Sequence, residues 1–345
     1  MSKETTADTA ASPATGAKMA DRESSALTAS MASMNVSGET VGEHKKENGT
    51  RPNADVLVAD DPDLWKPGPP PEDCPVCMIP LPIMIPESMY FSCCGKLICN
   101  GCVRESSRAT MIVNSKRAKK ELPELEPSCA FCRTPYCGGE GVVKQLLLRM
   151  EKGDCKAYFV MASDYMRGTD VIPQDDSKAM ELYVRGAELG STEAMAQLGD
   201  IYERGTMGVK KDMGKSREFF ERAAKGGLLP ARLFLADMEI DNNNPDLAIR
   251  HWKIAAEGGD PLGMEKLWTS FHQGKLTKAD LEQTLRAHQS AAKERSSDNR
   301  ERYAALVDAE ENNDKILSGL YDRYYGGSIT AKELNKALEV LGYES

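Results

Sequence analysis

The apolar and polar positions divide this 345-residue chain into three regions. From Gly141 onward, Ala, Leu, Met and Tyr recur at helical spacing, which predicts a succession of helices. Residues 1–72 carry few large apolar side chains apart from Leu64 and Trp65, so they bury too little surface to offset the entropy of ordering. We therefore expect residues 1–72 to be disordered and residues 141–345 to be helical.

The region between them, residues 73–137, has short apolar stretches interrupted by Pro, Gly and Cys. Its segment Ser88–Ser92 predicts a short strand, and Gly95 permits a tight turn after it. The residues after Cys102 predict a helix that extends to about Leu122, before a proline ends it. These elements predict a small module of mixed α and β structure.

Glycines at a fixed interval show that the helical region is repetitive. Gly153, Gly190 and Gly227 lie 37 residues apart, and Gly259 follows 32 residues later. Each of these glycines suits the left-handed conformation that ends many helices. The intervals delimit full copies at 154–190 and 191–227, a shortened copy at 228–259, and degenerate helices over 260–345.

Small residues at fixed positions within each copy let two helices approach closely, and we expect Leu198, Tyr202 and Phe219 to fill the space between copies. One helix pair leaves an apolar face uncovered, so the copies must stack into a solenoid. The pattern resembles the Sel-1-like repeat, a relative of the tetratricopeptide repeat. The resemblance implies an adaptor that binds protein partners on the concave face of the solenoid.

Eight of the ten cysteines lie between Asp73 and Arg133, in a spacing typical of metal sites. The pairs are Cys74 and Cys77, Cys93 and Cys94, Cys99 and Cys102, and Cys129 and Cys132. A disulfide framework would require an oxidising compartment, and a thioredoxin-like redox pair would leave six cysteines unexplained. We expect two Zn²⁺ ions per chain, each held by four thiolates, and we expect Cys137 and Cys155 to bind no metal.

Charge and composition exclude some functional classes. The net charge of −9 and the isoelectric point near 5.2 argue against a general nucleic-acid binder. No window of about 20 apolar residues is present, so we expect no membrane span. Free thiols at this density and the polar stretch 1–50, which has no secretory signal pattern, indicate a reducing compartment, either cytoplasm or nucleus.

The order of the cysteines resembles a RING-type zinc finger of the all-cysteine variant. The resemblance implies an interleaved cross-brace, with one zinc on Cys74, Cys77, Cys99 and Cys102 and the other on Cys93, Cys94, Cys129 and Cys132. It also implies an apolar groove for a ubiquitin-conjugating enzyme, with contacts at Val76, Phe131 and Pro135. Arg133 follows the last ligand, where many active ligases carry an arginine that contacts both the enzyme and ubiquitin.

The sequence contains no Ser/His/Asp or Cys/His nucleophile set and no phosphate-binding glycine-rich loop. RING-type ubiquitin ligases need neither, because they act by proximity and orientation. The resemblance thus implies a RING-type ubiquitin ligase whose repeats recruit a protein substrate. A non-enzymatic zinc-binding scaffold stays open as the alternative, since Ser106 and Ala130 stand where a large apolar residue and a proline are common.

Near the end of the chain, Asp322–Glu333 has the length of an EF-hand calcium loop. Tyr324 and Gly326 occupy two of its ligand positions and supply no carboxylate, so we expect a helix-turn-helix cap on the solenoid and no calcium site. A similar stretch at Gly274–Leu281 predicts a turn and then a helix opened by a Thr277 cap.

Overall fold

The computed structural model describes residues 61–83, 87–308 and 315. The expected disorder of residues 1–60 and the expected cap at Asp322–Glu333 lie outside the described residues. None of the helices in the described ranges combines the length and apolar character needed to cross a lipid bilayer.

The cysteine-rich module is built on a two-stranded antiparallel hairpin. β1 (Ser88–Phe91) pairs with β2 (Lys96–Cys99), with the first residue of β1 opposite the last of β2. Gly95 closes the turn between them with a φ of 68°, a left-handed conformation that costs glycine little. The predicted strand is confirmed, and its turn carries the adjacent pair Cys93 and Cys94.

The helix after the hairpin is shorter than predicted. α1 spans Asn100–Ala118, whereas the sequence predicted a helix to about Leu122. The chain reverses direction near Glu121, whose φ of 52° is incompatible with a continuing helix. The Asn114 amide then holds the returning segment against α1, because it donates to the Leu125 carbonyl at 2.9 Å and accepts from the Leu125 amide at 2.7 Å.

From Gly139 to Arg295 the chain is a succession of helices joined by short turns, which confirms the predicted repeat solenoid. They are α2 (Gly139–Glu151), α3 (Cys155–Arg167), α4 (Asp176–Glu188), α5 (Thr192–Arg204), α6 (Met213–Lys225), α7 (Leu229–Asp241), α8 (Pro245–Glu257), α9 (Pro261–His272) and α10 (Lys278–Arg295). A further helical segment covers 298–308. α3 packs with α4, α5 with α6 and α7 with α8, and each pair packs on the next.

The helices of the repeats begin and end at residues with the expected capping chemistry. Gly190 and Gly227 close the two full copies with φ values of 95° and 94°. Asp175 and Asp212 open the second helix of each copy by accepting a backbone N–H, at 3.0 and 3.1 Å. The predicted cap at Thr277 is confirmed, because its hydroxyl accepts the backbone N–H of the residue three positions on, at 3.2 Å.

Phe220, and not the predicted Phe219, fills the space between the second and third helix pairs. Its fully buried ring lies against Gly199 of α5 and stacks on Phe234 of α7, with 4.7 Å between ring centroids. Phe219 instead stacks on Tyr202 within one pair, at 5.8 Å. Consecutive helical residues point about 100° apart, so an error of one position exchanges a buried side chain for a half-exposed one.

The prediction of disorder is wrong for residues 61–72. Leu64 in this segment is fully buried, and Trp65 packs on side chains of α8. Farther along, Glu72 forms an ion pair with Lys156 of α3 at 2.6 Å. The Leu-Trp pair anchors a segment whose average composition is polar.

The module also contacts the first helices of the solenoid. The Tyr90 hydroxyl donates to Asp154 at 2.7 Å. Arg149 of α2 donates to the carbonyl oxygens of Ser92 and Cys93, at 3.1 and 2.8 Å. These bonds fix the hairpin turn to the point where the repeats begin.

A second contact joins the module to the helical segment 298–308. The guanidinium of Arg300 donates to the carbonyl oxygens of Ile79 and Pro80, at 3.2 and 2.6 Å. The Asn100 side chain at the start of α1 donates to the Tyr303 hydroxyl at 3.2 Å. The module therefore contacts helices that lie on both sides of the repeats in the sequence.

The close packing of Phe220 on Gly199 gives a test of the solenoid. A Cβ atom at Gly199 would lie 2.9 Å from three atoms of the Phe220 ring, which is too close without a shift. We expect Gly199→Ala to lower the free energy of unfolding by about 1–3 kcal/mol, although alanine favours helix by about 1 kcal/mol. Urea unfolding measures this, with Gly138→Ala as the control because its added Cβ would meet no atom within 4 Å. Equal stability of Gly199→Ala and wild type would show that the two helices do not approach this closely.

Candidate metal centres

Four sulfur atoms converge beside the start of α1. Two come from the loop before β1, one from the last residue of β2 and one from the first turn of α1. They belong to Cys74, Cys77, Cys99 and Cys102, and all lie within 4.8 Å of one another. The Sγ atoms of Cys77 and Cys99 are 3.9 Å apart.

A second set of four sulfurs forms around the hairpin turn. Its members are Cys93, Cys94, Cys129 and Cys132, again within 4.8 Å of one another. Sγ of Cys94 lies 3.9 Å from Sγ of Cys129, and Sγ of Cys93 lies 3.4 Å from Sγ of Cys132. The two sets alternate along the chain, so the structure groups the eight cysteines in the way that the sequence resemblance implied.

The donor sets fit tetrahedral zinc. A zinc ion bound to four thiolates at about 2.3 Å separates its sulfurs by about 3.8 Å. The sulfur–sulfur distances of 3.4–3.9 Å given above lie close to this value. Thiolate sulfurs are soft ligands, and such ligands bind zinc in preference to ions that favour oxygen ligands, such as magnesium. These two clusters can bind metal ions, and their occupation by zinc stays a prediction.

Two of the Cys-x-x-Cys turns share one backbone geometry. The amide of Met78 donates to the Cys74 carbonyl at 2.8 Å, and the amide of Arg133 donates to the Cys129 carbonyl at 3.1 Å. Met78 and Arg133 both take a left-handed conformation, with φ of 57° and 61°. The turn that brings the last two sulfurs together therefore also fixes the backbone of Arg133.

Proximity and burial shift the pKa values of these thiols. The hydrogen bond between Cys74 and Cys99 lowers the pKa of the Cys74 thiol to about 4 and raises the pKa of the Cys99 thiol. Burial raises the pKa of the Cys93 thiol, and it raises the pKa of the Cys94 thiol to about 11. Without a cation the four sulfurs of a set cannot all be ionised, and a bound Zn²⁺ would offset their charge.

A groove of about 310 Å³ lies between the first Cys-x-x-Cys turn, the last one and α1. Its lining residues are Val76, Cys102, Glu105, Ser106, Ala109, Thr110, Val113, Leu125, Ala130, Arg133 and Asn299. The structure thus brings the predicted contact residues Val76 and Arg133 to one groove. Phe131 and Pro135 are exposed and lie outside its lining.

Arg133 and the module's contact with segment 298–308 shape this groove further. One terminal nitrogen of Arg133 donates to the Ser106 hydroxyl on α1 at 3.3 Å. Asn299 lines the groove, and its neighbour Arg300 donates to Sγ of Cys77 at 3.7 Å. Sequence reasoning missed Asn299 and Arg300, because no local pattern connects them with Cys77, which lies more than 200 positions earlier.

The repeat region matches a known family. The Sel1 repeat model matches residues 155–191, 192–228 and 239–260. This chain contains Sel1 repeats. The first two matches coincide with the pairs α3–α4 and α5–α6, and the third covers α8 and the end of α7. No RING family model matches the cysteine-rich module.

Two solved structures are similar to part of this chain. A Sel1 repeat protein from Oxalobacter formigenes is 26% identical, with a TM-score of 0.38, and the alignment covers 45% of this chain and 64% of that one. The protein c5321, a protective antigen of uropathogenic Escherichia coli strains with an SLR fold, is 18% identical, with a TM-score of 0.28 and coverage of 51% and 45%. This chain therefore spans less than two thirds of either protein. No curated protein matches it.

The two sulfur sets predict a specific pattern of zinc retention. We expect wild type to carry two zinc ions per chain, and Cys132→Ser to retain one after dialysis against a chelator, because the other set stays complete. Cys155→Ser is the matched control, since this half-buried cysteine of α3 belongs to neither set. Metal analysis by mass spectrometry counts the ions. Loss of zinc in Cys155→Ser, or two ions in Cys132→Ser, would contradict this assignment.

Proposed function

We propose that this protein is a RING-type E3 ubiquitin-protein ligase. Its cysteine-rich module binds a ubiquitin-charged conjugating enzyme, and its Sel1 repeats hold the protein that receives ubiquitin. The bound zinc ions supply structure, because they fix the loops that border the groove. The observation that carries the proposal is a groove that both Val76 and Arg133 line, bordered by turns from both interleaved sulfur sets.

The surface in and beside the groove suits an apolar protein loop. Val76 is 41% exposed and Phe131 is 44% exposed, on turns from different sulfur sets. Val113 and Leu125 extend the apolar lining along α1 and the segment that returns beside it. Burying such side chains contributes about 25 cal/mol for each Å² of apolar surface removed from water.

Arg133 is positioned for transfer chemistry without itself reacting. The left-handed backbone of the last Cys-x-x-Cys turn presents its side chain at the edge of the groove, where it bonds to Ser106. In the proposed complex the guanidinium would exchange this neutral partner for carbonyl groups of the enzyme and of ubiquitin. By bonding to both proteins at once, the planar guanidinium would hold ubiquitin against the conjugating enzyme in the conformation in which the thioester is attacked.

The repeats give the proposed ligase a place for its substrate. Sel1 repeats form protein–protein interaction scaffolds, and this chain contains three matched segments. Contacts from Arg149 and Arg300 join the module to helices on either side of these repeats. A substrate on the solenoid would therefore be presented to the charged enzyme from a defined direction, which raises the rate of transfer through proximity.

A non-enzymatic scaffold is the second candidate, and the groove itself supplies the observation that favours it. Phe131 and Pro135 do not line the groove, and Ser106 contributes a hydroxyl where a large apolar side chain would deepen it. In that case zinc would only fold the module, and the repeats would assemble partners without ubiquitin transfer.

A substitution at Arg133 separates the two candidates. Arg133→Ala should slow ubiquitin discharge from a charged conjugating enzyme by about one to two orders of magnitude, because a charge-assisted hydrogen bond contributes about 1.5–3 kcal/mol. Zinc content should stay at the wild-type value, because the ligands of both sets are cysteines and Arg133 supplies none of them. Discharge is measured on gels across a panel of conjugating enzymes.

Arg204→Ala provides the control, because the Arg204 side chain is 67% exposed. Among the ion pairs of the described residues, its one partner is Asp200 of the same helix. We expect it to discharge at the wild-type rate. If zinc-loaded wild type discharges no enzyme in the panel, the scaffold candidate replaces the ligase. If discharge occurs equally in Arg133→Ala, the activity stands and the role given to Arg133 is wrong.

A further inference from the structure

The chain's own residues 61–66, which we name the anchor segment, occupy a basic site on helices α6, α7 and α8. The anchor segment forms a compact turn by itself. The amides of Leu64 and Trp65 donate to the carbonyls of Asp61 and Pro62 at 3.2 and 3.4 Å, and the Asp63 amide donates to the Asp61 side chain at 2.9 Å. It can therefore bind as a preformed unit, without adding a strand or a helix to the solenoid.

A buried arginine recognises the backbone of the anchor segment. Arg232 of α7 is 1% exposed, and burial lowers its pKa to about 10, so it remains charged at neutral pH. Its guanidinium donates to the carbonyl oxygens of Leu64, of Lys66 at 3.1 Å and of Ala224 at 3.5 Å. Two of these three acceptors belong to the anchor segment. A buried charge of this kind is costly to leave without acceptors, so an occupant that supplies carbonyl oxygens stabilises the site.

The side chains of the anchor segment fit the rest of the site. Leu64 is fully buried, and the ring of Trp65 lies 3.8 Å from the Arg250 guanidinium, a cation–π contact. Trp65 also lies against the ring of His251, at 4.7 Å between centroids. Burial lowers the pKa of His251 to about 3, so this ring is neutral at neutral pH and contributes packing rather than charge.

An acidic residue completes the match. Asp61 forms an ion pair with Lys225 at the end of α6, and this hydrogen bond lowers the pKa of Asp61. The site thus offers Lys225, Arg232 and Arg250 to a segment that presents an aspartate, a buried leucine and a tryptophan. Charge and apolar contact select the short sequence Asp-x-x-Leu-Trp, and the hydrogen bonds to the carbonyls fix the backbone conformation in which it binds.

We propose that the site on α6, α7 and α8 is a peptide-binding site of the repeats, which the anchor segment fills in cis and which binds protein partners that carry an acidic residue three positions before Leu-Trp. A partner segment of this chemistry competes with the chain's own segment. The inference rests on the part of the proposed function that gives the repeats a protein partner. It does not rest on ubiquitin transfer, because its test measures peptide binding alone.

The test uses the full chain with Leu64→Ala and Trp65→Ala, which removes the apolar contacts of the anchor segment and so weakens its competition for the site. The probe is a fluorescent peptide of residues 59–68, Ala-Asp-Asp-Pro-Asp-Leu-Trp-Lys-Pro-Gly, followed by fluorescence anisotropy. We expect the double variant to bind this peptide at least about tenfold more tightly than wild type, because a tethered segment competes at an effective concentration near the millimolar range. Circular dichroism establishes that the double variant has kept its helices.

Two controls assign the binding to this site. A peptide with alanine at both the Leu64 and the Trp65 positions should not bind, and adding Arg232→Met to the double variant should abolish binding of the original peptide. If the folded double variant fails to bind the peptide, the anchor segment is a permanent structural element and the proposal is wrong. Equal binding by wild type and the double variant would place the peptide elsewhere, and this also overturns the proposal.

If the double variant does not fold, wild type supplies the test. Hydrogen–deuterium exchange at the amides of Leu64 and Trp65 should become faster when the peptide of residues 59–68 is added in excess, because the added peptide displaces the anchor segment. Unchanged exchange at these two amides would overturn the proposal. Neither result depends on whether the protein discharges a conjugating enzyme.

Discussion

The convergence of eight thiols into two interleaved sets is the constraint on which the cysteine-rich module depends. The buried apolar side chains of this module are few, with Leu81, Phe91 and Ile98 the largest among its described residues. Such a small core contributes little to offset the entropy of fixing the loops, and a bound metal ion is one means by which modules of this size gain stability. The groove lies between turns from both sets, and therefore its shape depends on the geometry of both sulfur sets.

The module is also tied to the repeats, and this has consequences for both candidate functions. Arg149 and Arg300 each donate to backbone carbonyls of the module, one from a helix before the repeats and the other from a segment after them. The anchor segment adds a third connection through Arg232. A protein bound to the repeats would thus sit in a defined orientation to the groove, whether the module transfers ubiquitin or assembles partners.

The sequence could predict features that depend on local spacing or on periodicity. The cysteine pairs and the glycines at 37-residue intervals are of this kind, and they located the module and the repeats. It could not predict the contact of Arg300 with Cys77, because long-range contacts leave no local pattern. Composition gave the wrong prediction of disorder for residues 61–72. The segment is polar on average, but its one apolar pair, Leu64 and Trp65, packs against the helices of the repeats.

X-ray absorption at the zinc edge of the purified protein tests the central claim most directly, because it reports the average ligand shell of the bound zinc ions. If the two cysteine sets hold zinc, the spectrum will fit an average of four sulfur neighbours per zinc at about 2.3 Å, without nitrogen or oxygen ligands. A shell that mixes sulfur with nitrogen or oxygen would contradict the account. In that case at least one set would not be a complete thiolate site, and the shape of the groove would need another explanation.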